Sequence, residues 1–558
     1  MKERPWYSNY PDGVPYEIDP DSYRSLAELC LASCRENGDQ IAFMNRGVSL
    51  SFSEIDQCSR DVAAYLTTEA KLKHGDRVAI MLPNLLQSPI VLLGVLRAGF
   101  VVVNVNPLYT ARELEHQLKD CGARVVVVLE NFAATLAEVL PKTNVEHVII
   151  ASIGDCLPPV RRWLVNFFIR RIKRLVPAFR ISGAGRFANI LRRGRTLDYQ
   201  DPVIDAEDLA FLQYTGGTTG VAKGAMLTHR NMIANVLQAS AWVQPFLDSK
   251  QDSSVTALPL YHIFALTVNL FTFMKLGAPN LLITNPRDMK GFVRELALHR
   301  PAFMTGVNTL FNGLLNTPGF DALDFSSFKI TMAGGMAVQE DVADRWQQLT
   351  GVPISQGYGL TEASPVVSGN RVDSQEFDGS VGFPFPSTDV VVLDDSDQPL
   401  GTDGVGELCV IGPQVMRGYW QRPDETAKVF TVDGWLRTGD IGRIDADGRV
   451  YIEDRKKDLI IVSGFNVYPN EVENVITTHP EVLEAAVIGV PSAKSGEAVQ
   501  AFVVKKDPSL DEASLISYCR KRMTGYKTPD QVRFVDELPK SNVGKVLRRE
   551  LKNLASDS

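Results

Sequence analysis

Short, mostly apolar runs alternate with longer amphipathic segments along the chain, and this alternation limits the fold more than any other feature of the sequence. In the first two hundred residues such runs occupy 78–81, 101–105, 125–129 and 147–150. Strand-like runs separated by helical segments are typical of parallel sheets covered by helices. Further runs at 281–284, 303–305 and 330–333 continue the pattern. We therefore predict an α/β fold.

The pattern changes at about residue 390. Strand-like runs at 390–393, 406–411 and 448–452, separated by Gly and Asp turns, predict a β subdomain. A charged cluster follows at 454–458, and after it come new strand-like runs at 485–490, 499–504 and 532–535. Because 558 residues exceed the usual size of one domain, we predict two: a large N-terminal domain over 1–456 and a small α+β domain over 457–558.

The composition is that of a globular protein. Apolar residues make up 45% and charged residues 22% of the chain, which is unlike a disordered or membrane-spanning protein. Residues 1–13 lack the apolar core of a secretory signal, and no run approaches the length of a spanning helix, roughly twenty apolar residues. We therefore expect a cytoplasmic protein. Its seven cysteines form no C-x-x-C pair and are expected to be free, mostly buried thiols.

Segment 161–195 carries eleven Lys or Arg residues and no Asp or Glu, within a chain of net charge -8. The remainder is then -8 - 11 = -19, which argues against nucleic-acid binding. Two interpretations stay open: a solvated surface hairpin, or a helix on the anionic inner face of a membrane. The second is favoured by the interleaved apolar residues Trp163, Phe167, Phe168, Ile169 and Leu175.

The sharpest local motif is an eleven-residue stretch rich in glycine and threonine. It follows the apolar run 209–212 and precedes a helix predicted from about Thr228. Glycine lets backbone N–H groups turn toward an anion, threonine hydroxyls add donors, and a lysine adds positive charge, so the motif favours polyphosphate binding. It is not a Walker A loop, because its lysine precedes the glycine. Its residues are Tyr214, Thr215, Gly216, Gly217, Thr218, Thr219, Gly220, Val221, Ala222, Lys223 and Gly224.

Two further motifs have chemistry of their own. In 357–362 two glycines flank Tyr358, whose ring can stack on adenine, and Glu362 supplies the hard oxygen that Mg²⁺ prefers. Asp440 lies in a Thr-Gly-Asp turn, where a carboxylate can accept hydrogen bonds from two ribose hydroxyls. In isolation each is also compatible with an ordinary turn.

Together these motifs resemble the adenylate-forming superfamily, which contains acyl-CoA synthetases, luciferases and adenylation domains of peptide synthetases. The resemblance runs the length of the chain, with the motifs in the family's order. They are 214–224, Pro-Leu-Tyr-His at 259–262, Gly334-Gly335-Met336, Gly357-Tyr358-Gly359-Leu360-Thr361-Glu362, 434–440, Asp-Arg-Lys-Lys-Asp at 454–458, and 539–545. The resemblance implies ATP with Mg²⁺, coenzyme A as a substrate, and a mobile small domain.

The resemblance also implies roles for single residues. Thr361 lies at the phosphates, Glu362 binds the Mg²⁺ of ATP, Asp440 binds ribose beside Arg455, and His262 positions groups between the nucleotide and acyl sites. Lys545, from the small domain, stabilises charge on the reacting carboxylate and α-phosphate. The glycine-rich motif, Gly334 to Met336 and Gly357 to Gly359 bind ATP or AMP. Lys457 is the hinge, and Ser463 and Gly464 face the CoA tunnel.

Within the superfamily the chain most resembles bacterial long-chain fatty acid:CoA ligases, through 104–109, 214–224 and the uninterrupted stretch 433–473. This predicts activation of a long-chain fatty acid as acyl-adenylate and transfer to CoA. Some fatty-acid ligases carry an aromatic gate where this chain has Leu266, so a medium-chain or aryl acid is the main alternative. A membrane-docked acyl-binding scaffold without catalysis is a second alternative, and a homodimer is left open.

Overall fold

The fold is that of a computed structural model, which describes residues 4–215, 222–492, 495–541 and 544–556. The helix and strand bounds below refer to these ranges. The chain forms four sheets, two large ones in its first 384 residues and two smaller ones after them.

The first large sheet has nine strands in the described ranges. Its six central strands are parallel and its edge strands are antiparallel. In spatial order they are Phe383–Pro384, Val366–Gly369, Ile354–Gly359, Ile330–Gly334, Phe303–Gly306, Ser254–Thr256, Asn280–Leu282, Ile41–Asn45 and Val48–Ser51. The central strands are almost continuously buried, as expected when helices cover both faces of a sheet.

The second large sheet has seven strands in the part of the chain that is described, all parallel except the last pair. In spatial order they are Gly185–Arg186, His147–Ala151, Val125–Leu129, Arg77–Met81, Val101–Asn104, Leu209–Thr215 and Lys223–Thr228. The last two strands pair antiparallel, and they contain Tyr214, Thr215, Lys223 and Gly224 from the two ends of the glycine-rich motif.

Helices connect and cover these sheets. Ser51, Thr110 and Thr228 each cap a helix through a capping box, so the helix predicted from about Thr228 begins one residue later. The α-helices of the large domain are Leu26–Asn37, Phe52–Thr68, Gln87–Arg97, Ala111–Cys121, Ala133–Val139, Pro159–Phe167, Phe187–Gly194, His229–Val243, Thr272–Leu276, Met289–His299, Asn308–Leu315, Glu340–Thr350 and Pro423–Val429. Two π-helices occur at Phe168–Ile172 and Ala265–Phe271.

The two smaller sheets confirm the predicted β subdomain and α+β tail. The first is an antiparallel sheet of Asp389–Leu393, Gly406–Ile411, Leu436–Ile444 and Val450–Arg455. The second joins Phe465–Val467, Ile460–Val462, Gly496–Lys505, Val482–Ser492 and Gln531–Phe534, with helices Pro469–Thr477, Glu512–Arg520 and Arg548–Ser556. The domain boundary at 456/457 stays a prediction, and it falls between these two sheets.

The predicted strands are confirmed with small shifts at their ends. The run 448–452 begins as a strand only at Val450, because Gly448 adopts a positive φ in the preceding turn. All seven cysteines are free, and five of them are buried. Among the helices described, none is both long and apolar enough to cross a membrane.

Candidate active site

Adjacent parallel strands bring two of the predicted glycine motifs to one edge of the first sheet. Strands Ile330–Gly334 and Ile354–Gly359 pair in register with Gly334 opposite Gly357, so the residues that follow them leave the sheet side by side. This carboxyl edge is where ligands bind in open α/β sheets. Gly335 has a φ of +83°, which favours glycine, and a Cβ built there would lie 3.4 Å from Cε of Lys545. The small domain therefore contacts this edge through Lys545.

The loop that carries Lys545 packs directly on the large domain. A Cβ built on Gly544 would lie 2.5 Å from Oγ1 of Thr309, so a side chain at this position has no room. Ser541 and Lys545 hold the loop closed, since the Ser541 amide donates to the Lys545 carbonyl at 2.7 Å and the Lys545 amide to Oγ of Ser541 at 3.1 Å. The lysine is thus presented by a short, tightly held turn.

The Asp440 carboxylate is held by two groups, a tyrosine hydroxyl and an arginine cation. Tyr358 donates its hydroxyl to Oδ2 of Asp440 at 2.7 Å, and Nε of Arg455 lies 2.9 Å from Oδ1. Asp440 and Arg455 are opposite each other on paired antiparallel strands, which explains how residues fifteen apart meet. Desolvation and the Asp440 charge raise the pKa of the Tyr358 phenol, and the Asp440 charge raises the pKa of Arg455, so both stay protonated.

Desolvation also lowers the pKa values of Lys545 and His262. Burial, followed by the charge of Arg455, lowers the pKa of Lys545 to about 8, although Asp440 and Glu362 act to raise it. Burial, with Lys545 as the second cause, lowers the pKa of His262 to about 3. His262 is therefore neutral at any ordinary pH, which suits positioning rather than proton transfer.

Glu362 follows the same strand edge in a short 3₁₀ turn, Thr361–Ala363. Its Oε1 accepts the Tyr419 hydroxyl at 2.7 Å. Nζ of Lys223 lies 4.8 Å from the centre of the same tyrosine ring and 2.7 Å from Oε2 of Glu425. Tyr419 and Glu425 were missed by sequence reasoning. They connect the lysine of the glycine-rich motif with the carboxylate predicted to bind magnesium.

A single carboxylate here fits a magnesium ion that arrives with ATP. Mg²⁺ usually keeps several waters and takes one or two carboxylates together with substrate phosphates. In the described ranges no group of three or more His, Cys, Asp or Glu side chains could hold a metal by itself. Glu362 with the neighbouring Lys223 therefore suits a metal–phosphate complex better than a bare metal.

The remaining predicted residues are placed as follows. Gly216, Gly217, Thr218, Thr219 and Gly220 lie outside the described residues, while Thr215 ends the preceding strand. Tyr214 is buried and donates its hydroxyl to Oδ2 of Asp120 at 2.6 Å, so it braces the hairpin against helix Ala111–Cys121. Met336 is half-buried and packs against the large hydrophobic core.

The predicted hinge and CoA residues lie in the small domain's first turns. Lys457 falls between strands Val450–Arg455 and Ile460–Val462. Ser463 and Gly464, both with positive φ, form the exposed turn of the next hairpin. A Cβ built on Gly464 would meet no atom within 4 Å among the described residues, and the Ser463 amide donates to the Ser495 carbonyl at 2.7 Å. The structure thus brings together several residues predicted for the adenylate site, whereas the residues predicted to face CoA lie in an exposed turn.

Comparisons with known proteins match this architecture. The family model described as AMP-binding enzyme matches residues 31–420, and the AMP-binding enzyme C-terminal domain matches 471–545. A long-chain-fatty-acid–CoA ligase of Salmonella typhimurium is 56% identical over 99% of this chain and 98% of its own length. The Bacillus subtilis protein of the same name is 38% identical over 99% and 98%. Rice 4-coumarate–CoA ligase 3 is 30% identical over 96% and 93%.

Among solved structures, ATP-bound MatB from Rhodopseudomonas palustris superposes with a TM-score of 0.82 at 28% identity, covering 95% of this chain and 99% of that one. A benzoate CoA ligase from Burkholderia xenovorans has a TM-score of 0.80 at 24% identity, with 94% and 99% covered. The second likeness bears on the fold alone.

Proposed function

Because the chain belongs to the AMP-binding enzyme family, we propose that it activates a long-chain fatty acid with ATP and transfers the acyl group to coenzyme A. Its sequence identity of 51% to 56% to long-chain-fatty-acid–CoA ligases, over 99% of this chain, supports the substrate class. The position of Lys545, against Gly335 and close to Asp440 and Glu362, is the observation that carries the chemistry. The products are acyl-CoA, AMP and pyrophosphate.

In the first step the fatty acid carboxylate attacks the α-phosphate of ATP, and the bond to pyrophosphate breaks. Lys545 offsets the negative charge that gathers on the carboxylate and α-phosphate, which is electrostatic catalysis of phosphoryl chemistry. Asp440, held by Tyr358 and Arg455, receives the ribose hydroxyls. Lys223 and Thr361 bind the β- and γ-phosphates. Glu362 would hold Mg²⁺, which neutralises phosphate charge when bound.

In the second step the CoA thiol attacks the acyl carbonyl of the adenylate and AMP leaves. Lys545 lies against Gly335 in this structure, whereas the turn of Ser463 and Gly464 is exposed. We therefore include a rotation of the small domain about Lys457 in the proposal. The rotation removes Lys545 and brings Gly464 to the path of the pantetheine arm, where a residue without a side chain leaves room.

Three segments suit the walls of an acyl pocket: 259–266, 306–311 and 332–336. The ring of Phe264 lies 2.9 Å from a Cβ built on Gly334, and the Phe311 ring lies 2.5 Å from one built on Gly306. These two glycines are thus the points where aromatic rings approach the sheet edge. Leu266, where the family resemblance implies an aromatic gate in some fatty-acid ligases, is fully buried.

We predict that catalytic efficiency rises with acyl chain length until the pocket is full. Each buried methylene contributes about 0.8 kcal/mol, which is roughly a fourfold gain in kcat/KM per carbon. CoA-dependent AMP release should be measured with acids from butyrate to stearate and with benzoate and 4-coumarate. A profile that peaks at short or aryl acids would contradict the long-chain proposal, and no ATP–pyrophosphate exchange with any acid would favour the scaffold alternative.

We also predict a descending alkaline limb in kcat/KM for ATP. The catalytic form needs Lys545 charged, so activity present below pH 8 is lost as the pH rises through its pKa of about 8 in the ligand-free enzyme. Above it, kcat/KM should fall about tenfold per pH unit. The profile of kcat should stay flatter, because bound ATP raises the pKa. Lys545→Arg should abolish the limb, since arginine does not titrate there, and a limb that persists in it contradicts the assignment to Lys545.

The basic segment supports a second part of the proposal, contact with an anionic membrane. Helix Pro159–Phe167 has no buried residue, and Trp163 is 64% exposed while its ring stacks on that of Phe167. Phe168, Ile172 and Leu175 are also exposed. The prediction that Ile169 faces lipid is wrong, because its side chain is buried. An exposed apolar surface beside basic residues favours insertion at the headgroup level.

The structure also decides which basic residues can test this contact. Arg170 donates to the buried carboxylate of Glu130 at 2.7 Å, so it holds the segment in place and should not be altered. Arg171, Lys173 and Arg174 are exposed. These three residues can approach lipid without loss of that ion pair.

We predict that Arg171→Glu, Lys173→Glu and Arg174→Glu together prevent co-sedimentation with vesicles of phosphatidylglycerol and phosphatidylcholine. Each basic residue near such a surface contributes about 1 kcal/mol, so reversing three should weaken binding more than about a hundredfold. Activity on dissolved short substrates should be unchanged. Reversal of the exposed Arg520, Lys521 and Lys506 in the small domain is the control, and equal loss in both variants would contradict a role for this segment.

A further inference from the structure

A buried polar cluster crosses the proposed hinge. Asp454 lies near the end of strand Val450–Arg455, just before Lys457, while Asn470 and Glu473 lie on helix Pro469–Thr477 after it. Arg548 begins the last helix, three residues after Lys545. Asp454 is 1% exposed, and only about a sixth of the Glu473 and Arg548 side chains is exposed. Groups on both sides of the hinge are therefore buried against one another.

The contacts across the hinge are made by Asp454 and its neighbour Glu453. Oδ2 of Asp454 accepts the backbone N–H of Asn470 at 2.8 Å, while Oδ1 accepts that of Arg455 at 2.7 Å. The Asn470 side-chain amide donates to the Glu453 carbonyl at 3.3 Å. A rotation about Lys457 moves Asn470 away from Asp454, so these bonds belong to the orientation that places Lys545 in the adenylate site.

Arg548 connects this contact with the lysine loop. Its Nη2 donates to Oδ1 of Asn470 at 2.9 Å and to Oε1 of Glu473 at 2.7 Å, and its Nη1 lies 3.6 Å from Oδ2 of Asp458. Two carboxylates after the hinge, Glu473 and Asp458, thus contact Arg548, and the negative charge of Asp454 before the hinge also acts on it. Charge-assisted hydrogen bonds of this kind are stronger and more directional than neutral ones.

From this arrangement we propose that Asp454, Asn470 and Arg548 are positioning residues that latch the small domain in the adenylate-forming orientation and so act through Lys545. The proposal rests on the two-step reaction above. It assigns the cluster to one half-reaction only: the latch favours adenylation, and it must open before CoA reacts.

Asp454→Asn tests the latch. The amide replaces one acceptor oxygen with an NH₂ group, which must face the N–H of either Asn470 or Arg455, and it removes a charge near Arg548. Leaving one such donor unpaired should lower the single-turnover rate of adenylation about tenfold. Thioester formation from synthetic acyl-adenylate and CoA should stay within about twofold of the unmodified protein. Tryptic cleavage at 455–457 of the ligand-free protein should become several-fold faster.

Two further variants make the test decisive. Asp447→Asn alters a carboxylate that pairs with Arg449 on its own side of the hinge at 2.8 Å, and it should change neither half-reaction. Asn470→Ala keeps the N–H to Asp454 but removes the bonds to Arg548 and Glu453, so it should act in the same direction as Asp454→Asn if that variant folds poorly. If Asp454→Asn lowers the rates of both half-reactions equally, or lowers neither rate, the latch proposal is overturned. Absence of ATP–pyrophosphate exchange in the unmodified protein overturns the proposed function instead, and the cleavage comparison then still tests the latch.

Discussion

Lys545→Ala is expected to slow formation of the acyl-adenylate by about a hundredfold to a thousandfold, the usual effect of removing one preorganised charge partner of a transition state. The lysine reaches the site only through a closed turn packed on Thr309, against a glycine that leaves it room. The rate of thioester formation from synthetic acyl-adenylate should stay within a few-fold of that of the unmodified protein, because the proposed rotation withdraws Lys545 before that step. Single-turnover assays of the two half-reactions measure both rates.

Lys540→Ala is the matched control for this experiment. Lys540 lies in the same segment, but its Nζ pairs with Glu484 within the small domain at 2.6 Å. Removing it should leave both half-reactions close to normal. If Lys545→Ala slowed both steps equally, the lysine would act throughout the reaction and the alternating arrangement would be wrong for this protein. If Lys540→Ala matched it, the effect would reflect the fold of the small domain.

The strands were predictable because each has a local signal. Runs such as 125–129 are apolar throughout, and Thr228 carries the signature of a helix cap. The alignment of Gly334 with Gly357 also follows from the parallel order of their strands, once the sheet is known. Strands and helix starts that have a local sequence signal are therefore found in the structure close to where they were predicted.

The contacts of the site could not be predicted in the same way. Tyr419 reaches Glu362 because residue 419 pairs with Ala225, almost two hundred residues earlier, and nothing near Tyr419 in the sequence indicates that pairing. Tyr214, which stays a predicted nucleotide-binding residue, donates its hydroxyl to Asp120 for a similar long-range reason. Family resemblance predicts which residues belong to the site, whereas their partners are set by tertiary packing.

The glycines of 357–362 differ in a way that only the structure shows. A Cβ on Gly359 would lie 2.1 Å from the Pro365 carbonyl oxygen and 2.8 Å from its carbon. A Cβ on Gly357 would meet its nearest atoms at 3.7 Å, which is ordinary van der Waals contact. Neither glycine has a positive φ, so the difference between them is steric.

Gly359→Ala should therefore destabilise the large domain and remove the adenylate site. Relief of the clash must push strand Ile354–Gly359 away from Val366–Gly369, which shifts Tyr358 from Asp440 and displaces Glu362. Overpacking at backbone atoms that cannot rotate away is expected at the upper end of its usual range, about 3 kcal/mol, and lowers the thermal midpoint by several degrees. Gly357→Ala should leave that midpoint nearly unchanged. Calorimetry of both variants, with ATP–pyrophosphate exchange, decides the matter: equal midpoints would mean that the strand pair can yield at Pro365, and the glycine would then be explained by the nucleotide rather than by the fold.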